Sequence, residues 1–123
     1  MISAFLLAAL AAAGTAYLRT SMPAAEVVRK LSGVRLALAF YRVEHKNFPA
    51  SFSEVITSGK LEGVPDLKLY GHFKSAKVRP VSSFTIKDTG GWTYVNAPAD
   101  PQFGLLYIDC SHADEKGRFW SEF

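Results

Sequence analysis

Between Pro23 and Pro49 the chain has no proline, so this stretch is free to form one long helix. Within it, apolar and aromatic residues recur at a spacing of three or four, which places them on one face of a helix. This stripe consists of Val27, Leu31, Val34, Leu38, Tyr41 and His45. A chain of 123 residues forms one hydrophobic core. We therefore expect a helix over residues 24–47 that packs on a sheet.

A second set of apolar residues lies on the opposite side of the predicted helix, at Leu36, Phe40 and Val43. A helix on the outside of a small domain needs one apolar face, so a second face predicts a contact with another chain. Scattered exposed apolar residues are common on protein surfaces and are the alternative explanation. We refer to these three residues as the assembly surface.

The second half of the chain, residues 67–123, has the pattern of a sheet. Extended runs are expected at 67–73, 78–86, 92–95 and 105–108, and a short edge strand is expected at 118–120. A strong turn signal, Asp88-Thr89-Gly90-Gly91, separates two of these runs. The predicted fold class is α+β: a long N-terminal helix packed on an antiparallel meander of about four strands, with Trp92 and Tyr107 facing the helix.

The N-terminal segment is apolar and uncharged. Residues 1–18 contain no charged side chain, and residues 4–13 form an unbroken apolar run. This run is shorter than the roughly 20 residues of a membrane span. It has the length of the apolar part of a secretory signal, and small residues follow it where a signal peptidase cleaves, although no Lys or Arg precedes it. We expect residues 1–22 to be a cleaved signal or a retained hydrophobic helix, with a buried soluble helix as a third alternative. The first two place a domain over 23–123 outside the cytoplasm.

Charge and motif content exclude several function classes. The net charge of +3 comes without a Lys/Arg cluster of the kind that follows a phosphate backbone, so we expect no nucleic-acid partner. The three histidines are far apart in sequence, and none lies beside a serine or cysteine in a nucleophile motif. No glycine-rich phosphate loop occurs either. We therefore predict that the chain is not an enzyme and binds no cofactor.

The single cysteine, Cys110, cannot form a disulfide within the chain. In an exported protein it is either free or paired with another molecule. Cys110 and His112 are two residues apart and lie on the same side of an extended chain, which suits a metal or thiolate role. Because two ligands do not make a metal site, ordinary polar residues at a strand end are the preferred explanation.

Several short motifs follow the long helix in a fixed order. They are Phe48-Pro49, then Gly90-Gly91-Trp92-Thr93-Tyr94, then Gly104-Leu105-Leu106-Tyr107-Ile108-Asp109-Cys110, and finally Asp114-Glu115-Lys116-Gly117 before Trp120. In this order the chain resembles the globular region of bacterial type IV pilins and of the pseudopilins of type II secretion. The resemblance covers roughly residues 24–123. It implies a filament subunit, with a hydrophobic helix in the filament core and a sheet displayed outward.

The start of the chain departs from the pattern of that family. A prepilin carries a basic leader ending in glycine, then a phenylalanine-type first residue and a glutamate at the fifth position of a long apolar helix. Residues 2–18 resemble either the later part of such a helix or a conventional signal in its place. The second case resembles a split pilin, in which a separate short chain supplies the core helix and contacts the assembly surface.

The resemblance also bears on the acidic residues Asp109, Asp114 and Glu115, because pseudopilins can hold calcium with a loop in this region. Oxygen ligands suit calcium. The spacing of these carboxylates matches no defined calcium loop, so a solvated turn is the preferred explanation and no metal is predicted.

The function expected from the sequence is that of a structural subunit of a type IV pilus-like filament. Its partners would be other pilin subunits or a short N-terminal pilin chain, and it would contact the membrane only before assembly. It would pass through the periplasm to a filament on the cell surface. The alternatives are a pseudopilin of a type II secretion system, which stays periplasmic, and a small exported binding domain.

Overall fold

The computed structural model describes residues 2–123, and the side chains from residue 6 onward. The first position of the predicted segment 1–22 lies outside the described residues. The elements in chain order are helices α1 (Ile2–Leu18), α2 (Ala24–His45) and α3 (Ser53–Thr57), strands β1 (Val78–Val81), β2 (Trp92–Val95) and β3 (Leu106–Ile108), and a 3₁₀ turn at Trp120–Glu122.

The sheet has three strands in the order β1-β2-β3. β1 and β2 are parallel, with Val78 opposite Trp92, whereas β2 and β3 are antiparallel, with Trp92 opposite Ile108. The prediction of a four-stranded antiparallel meander is therefore wrong: the described residues form a small α+β fold with a three-stranded mixed sheet.

The parallel pairing follows from the path of residues 82–91, which return along the sheet instead of closing a hairpin. The carboxylate of Asp109 accepts hydrogen bonds from the backbone amides of Lys87 at 2.7 Å, and of Asp88 and Thr89 at 3.2 Å each. These bonds hold the returning segment beside the end of β3. The turn signal at 88–91 is thus part of a crossover between parallel strands.

Two further predicted strands are reduced to isolated bridges. The run at 67–73 pairs only through Leu67 and Ser75, because Gly71 adopts a φ of +81° and the chain reverses there. The predicted edge strand at 118–120 has one bridge, between Ala113 and Phe119, and continues as the 3₁₀ turn. Neither segment adds a strand to the sheet.

α2 packs on one face of the sheet through the predicted stripe. Its buried residues are Val27, Leu31, Val34, Ala37 and Leu38. They share a core with Trp92 and Tyr94 of β2 and with Leu106 and Ile108 of β3. Tyr107 was expected on this face, and that expectation is wrong. Its hydroxyl donates to the Thr85 carbonyl at 2.6 Å and its ring packs on Phe84, on the other side of the sheet.

The helix at the N-terminus of the fold is not the one that covers the sheet. α1 precedes α2, is short, and is exposed along its described residues 6–17. The prediction of one long N-terminal helix on the sheet is corrected accordingly: the sheet is covered by the second helix, and the first extends from the domain.

Arg35 fixes α2 to the edge of the sheet. Its guanidinium donates to the carbonyl oxygen of Leu106 from two nitrogens, at 3.1 and 2.8 Å, and to the backbone oxygen of Phe123 at 2.7 Å. Charged donors make stronger hydrogen bonds than neutral ones. The contact therefore sets the position of α2 relative to β3 and to the end of the chain.

Candidate assembly surface and metal centre

The assembly surface lies on the outer side of α2. Leu36 and Phe40 are each 55% exposed and Val43 is 80% exposed. The buried stripe of the same helix occupies the other side, so the two apolar faces predicted from the sequence are separated in the structure as well. Within the described chain, no element covers these three side chains.

α1 presents a larger apolar surface. Leu6, Leu7 and Leu10 are 62, 67 and 61% exposed, and the helix carries no acidic residue in its first turn and no basic residue in its last. Among the described residues, no helix combines the length and the hydropathy of a membrane span.

The end of α1 is bonded to the loop at 67–75. The Gly71 amide donates to the Leu18 carbonyl at 2.6 Å, and the Lys74 amide donates to the Tyr17 hydroxyl at 3.0 Å. The Lys68 ammonium donates to the Thr20 carbonyl at 2.8 Å. These contacts join the base of α1 to the domain, while residues 6–17 of the helix are exposed.

A cluster of metal-ligating side chains lies beside this junction. It consists of His72, Asp88, Cys110 and His112, whose potential ligand atoms all lie within 4.8 Å of one another. Three segments contribute: the loop at 67–75, the crossover before β2, and the chain that follows β3. We refer to these four residues as the metal cluster.

The distances within the metal cluster are short. Cys110 Sγ lies 3.2 Å from Nδ1 of His112, and Nε2 of His72 lies 3.6 Å from Oδ1 of Asp88. Cys110 is fully buried and His72 is 8% exposed. Nε2 of His72 is inaccessible to solvent and has no hydrogen-bond partner. Buried polar atoms are normally paired, so this nitrogen calls for an explanation.

The backbone around the metal cluster is shaped to bring these side chains together. Asp88 adopts a φ of +58°, which is uncommon for a residue with a side chain, and Asp is among the residues that tolerate it best. Gly90 adopts a φ of +76°, and a Cβ at this position would lie 2.5 Å from Cβ of His72. Glycine at position 90 therefore leaves the space that His72 occupies.

Electrostatics distinguish the members of the metal cluster. Burial raises the pKa of the Cys110 thiol to about 11. Burial, and secondly the neighbouring His112, lower the pKa of His72. The hydroxyl and the amide of Ser111 both donate to the Asp88 carboxylate and lower its pKa.

A pocket of about 650 Å³ opens beside the metal cluster, and His72 and Asp88 form part of its lining. Asp88 is 42% exposed, in contrast to Cys110 and His72. The cluster thus combines buried nitrogen and sulfur atoms with a carboxylate that is open to solvent. A small ion can reach it from this side.

The calcium candidates from the sequence lie apart from this arrangement. Asp109 is fully buried, and its carboxylate accepts the amides of the crossover and the Thr89 hydroxyl at 2.6 Å. Asp114 accepts the amides of Lys116 and Arg118 at 2.9 and 2.8 Å. Glu115 is exposed. The group of at least three metal-ligating residues found in the described chain does not include any of these three.

Compared with protein-family models, with curated proteins and with solved structures, the chain matches none of them. The resemblance to pilins accordingly stays an expectation from the sequence.

Sequence analysis noted that two members of the metal cluster lie on the same side of the chain but predicted no metal there, and it missed the other two. The spacing of Cys110 and His112 indicated a shared side of the chain, and the structure brings these two residues into contact. His72 and Asp88 were missed because they come from segments far away in sequence. The signal that could have suggested Asp88 was its place in the glycine-containing turn before β2.

Proposed function

We propose that this chain is a structural subunit of an extracellular filament of the type IV pilus kind, exported and assembled through its helices. The observation that carries the proposal is α1, an uncharged helix whose described residues 6–17 are all exposed. In the filament, α1 packs in the core against the α1 helices of other copies. The sheet is displayed on the outside.

The composition of α1 supports a core made of several helices. A helix that is apolar on every side has no face suited to water, and such helices are buried all round in the structures where they occur. One partner covers one side of a helix, whereas neighbours in a helical array cover every side. Other copies of α1 are therefore the occupants that this surface fits.

The assembly surface on α2 supports a second contact between subunits. Leu36, Phe40 and Val43 recur at spacings of four and three, so they form one stripe along the helix. Because the stripe points away from the sheet, a neighbouring subunit can cover it without disturbing the core of the domain. The same contact is then repeated along the filament.

The junction at the base of α1 favours a core helix that belongs to this chain. Tyr17 and Leu18 accept hydrogen bonds from the loop at 67–75, so the domain orients the helix that it carries. In a split arrangement, a separate short chain would supply the core helix and residues 1–22 would be removed. The two arrangements differ in the mass of the assembled subunit.

The first experiment replaces Phe40 by glutamate in the full chain. A charge buried without a partner in an apolar contact costs several kcal/mol, about 2–7 for a polar group and more for an ion. We expect the Phe40→Glu domain to keep its circular dichroism spectrum and melting temperature, and electron microscopy of the cells to show no filaments. Ser83→Glu, at an exposed position of the chain between β1 and β2 and away from α2, is the matched control and should assemble. Normal filaments with Phe40→Glu would contradict the proposal, and so would a mutant that unfolds.

The second experiment is mass spectrometry of the subunit from purified filaments. We expect α1 to be present in the assembled chain. A subunit that lacks α1 and copurifies with a short apolar chain would replace this arrangement by the split one. Assemblies that stay in the periplasm and never reach the cell surface would favour a secretion pseudopilus. A monomeric exported protein under all conditions would leave the small binding domain.

A further inference from the structure

We propose that His72, Asp88, Cys110 and His112 form a binding site for one zinc ion, which joins the three segments that carry them. This inference is independent of the filament proposal, because it concerns the interior of a single subunit. It starts from the unpartnered Nε2 of His72, a buried nitrogen that points into a group of other potential ligands.

The donor set selects the class of metal. A thiolate, two imidazole nitrogens and one carboxylate oxygen are the ligand types that zinc takes in proteins, whereas calcium and magnesium take oxygen ligands. The cluster supplies one such atom from each of its four residues. It therefore fits zinc in its type and number of ligands, and does not fit a hard cation.

The spacing of the ligand atoms fits a tetrahedral ion. Bonds of about 2.3 Å to sulfur and about 2.0–2.1 Å to nitrogen or oxygen place neighbouring ligands roughly 3.3–3.7 Å apart. The distance from Cys110 Sγ to His112 Nδ1 is 3.2 Å, and that from His72 Nε2 to Asp88 Oδ1 is 3.6 Å. All four potential ligand atoms lie within 4.8 Å of one another, so a bound ion would have to draw the wider pairs together by rotation of the side chains.

The surroundings meet the further requirements of a metal site. Ligating carboxylates are themselves held by hydrogen bonds in known sites, and the Asp88 carboxylate accepts both the amide and the hydroxyl of Ser111. The adjoining pocket gives the ion a path to the buried ligands. On coordination, zinc replaces the proton of the Cys110 thiol, and that proton is released to solvent.

The site has a structural role because of what it connects. His72 belongs to the loop that bonds the end of α1, Asp88 to the crossover between the parallel strands, and Cys110 and His112 to the chain after β3. Hydrogen bonds of Asp109 and Ser111 already join the crossover to the chain after β3. An ion bound to all four residues would tie the loop at 67–75 to both. Zinc that binds the folded chain but not the unfolded chain raises the stability of the fold by mass action.

The experiment uses the purified full chain after a chelator has removed bound metal. Zinc is the probe, and calcium and cobalt are added in separate samples. Titration against a chromogenic chelator should show saturable binding of one ion per chain. Zinc should raise the melting temperature by about 5 °C or more at a large excess over the dissociation constant. The same concentration of calcium should leave it unchanged. Cobalt in place of zinc should give a sulfur-to-metal charge-transfer band, the signature of a bound Cys110.

Variants of the metal cluster make the test specific. Asp88→Asn keeps a residue that tolerates a positive φ and should weaken zinc binding by about tenfold or more. Cys110→Ser should abolish the charge-transfer band. His45→Gln changes an exposed histidine outside the cluster and is the control that should bind zinc normally.

If Cys110→Ser does not fold, the cobalt spectrum of the unaltered chain and the zinc affinity of Asp88→Asn still decide the matter. The proposal is overturned by the absence of stoichiometric zinc binding or by a cobalt complex without the charge-transfer band. It is also overturned if Asp88→Asn binds zinc as tightly as the unaltered chain.

Discussion

The first two helices of this protein use apolar residues in opposite ways. α1 is uncharged and apolar, yet its described residues 6–17 are exposed. α2 carries acidic and basic residues along its length and still buries five side chains in the core. A helix whose apolar stripe is bordered by charged residues has one apolar and one polar face, and its apolar face therefore packs on the sheet of its own chain. A helix without charged borders has no preferred side, so packing on one sheet face would leave its other apolar sides exposed to water.

The largest change in stability is expected when one leucine of α2 is truncated, and one leucine of α1 provides the comparison. Leu38→Ala should lower the free energy of unfolding by about 2–5 kcal/mol, because it empties a packed site in the core. Leu10→Ala removes the same atoms from an exposed position and should change it by less than about 0.5 kcal/mol in the monomer. Urea denaturation followed by tryptophan fluorescence measures both. Equal losses would mean that α1 packs on the domain in solution.

The next effect concerns how α2 is attached to the sheet. Arg35→Met removes the donors to Leu106 and Phe123 and should lower the free energy of unfolding by about 1–3 kcal/mol. Arg29→Met, at an exposed position of the same helix, is the matched control and should stay within about 0.5 kcal/mol. Indistinguishable urea midpoints for the two variants would show that the Arg35 hydrogen bonds do not hold α2 in place.

A smaller effect is expected at the base of α1, where that helix meets the domain. Tyr17→Phe removes the hydroxyl that accepts the Lys74 amide and should cost about 0.5–1 kcal/mol. The change should be local, so hydrogen exchange should quicken at Lys74 and Gly71 and stay the same in β2. A loss of protection throughout the sheet would show that α1 contributes to the core after all.

The smallest effect is a pH dependence at the surface beside α2. A hydrogen bond from Lys30, followed by one from Lys74, lowers the pKa of Asp66 below its usual 3.8. The stabilisation is therefore complete above the usual pKa and is lost as the pH falls through the lower value of the folded state. Because Asp66 is 41% exposed, the effect should stay below about 1 kcal/mol.

Comparing the chain with Asp66→Asn isolates this contribution. The difference in unfolding free energy between the two should be present at about pH 7 and should shrink toward about pH 3. A difference that does not change with pH would assign the effect to packing of the side chain and not to its charge.

The sequence predicted the parts of the fold that depend on local periodicity. The stripe of α2 is buried from Val27 to Leu38, because three- and four-residue spacing directly reports a helix face. At its C-terminal end the stripe leaves the core: Tyr41 is half-buried and bonds Glu54, and His45 stacks on Tyr41 at 4.0 Å between ring centres. There α3 and the solvent replace the sheet as neighbours.

Strand direction and the metal cluster could not be predicted in this way. Alternating apolar residues are the same in parallel and antiparallel strands, and the crossover depends on Asp109, a carboxylate about 20 residues from the amides it binds. The metal cluster likewise forms only in the folded chain, which brings His72 and Asp88 close to Cys110. Spacing along the sequence carries no information about such contacts.

The Arg35 contact limits how copies of this protein can join. A free strand edge invites another strand to pair with it, and this is the usual route to uncontrolled aggregation. On the outer strand β3, the Leu106 carbonyl already accepts hydrogen bonds from Arg35. The 3₁₀ turn at Trp120–Glu122 also lies beside this strand. The opposite outer strand, β1, contains Pro80, which has no amide hydrogen to offer. Backbone pairing is thus discouraged at both edges of the sheet, and in the proposed filament the contacts between subunits would be made by side chains of the helices.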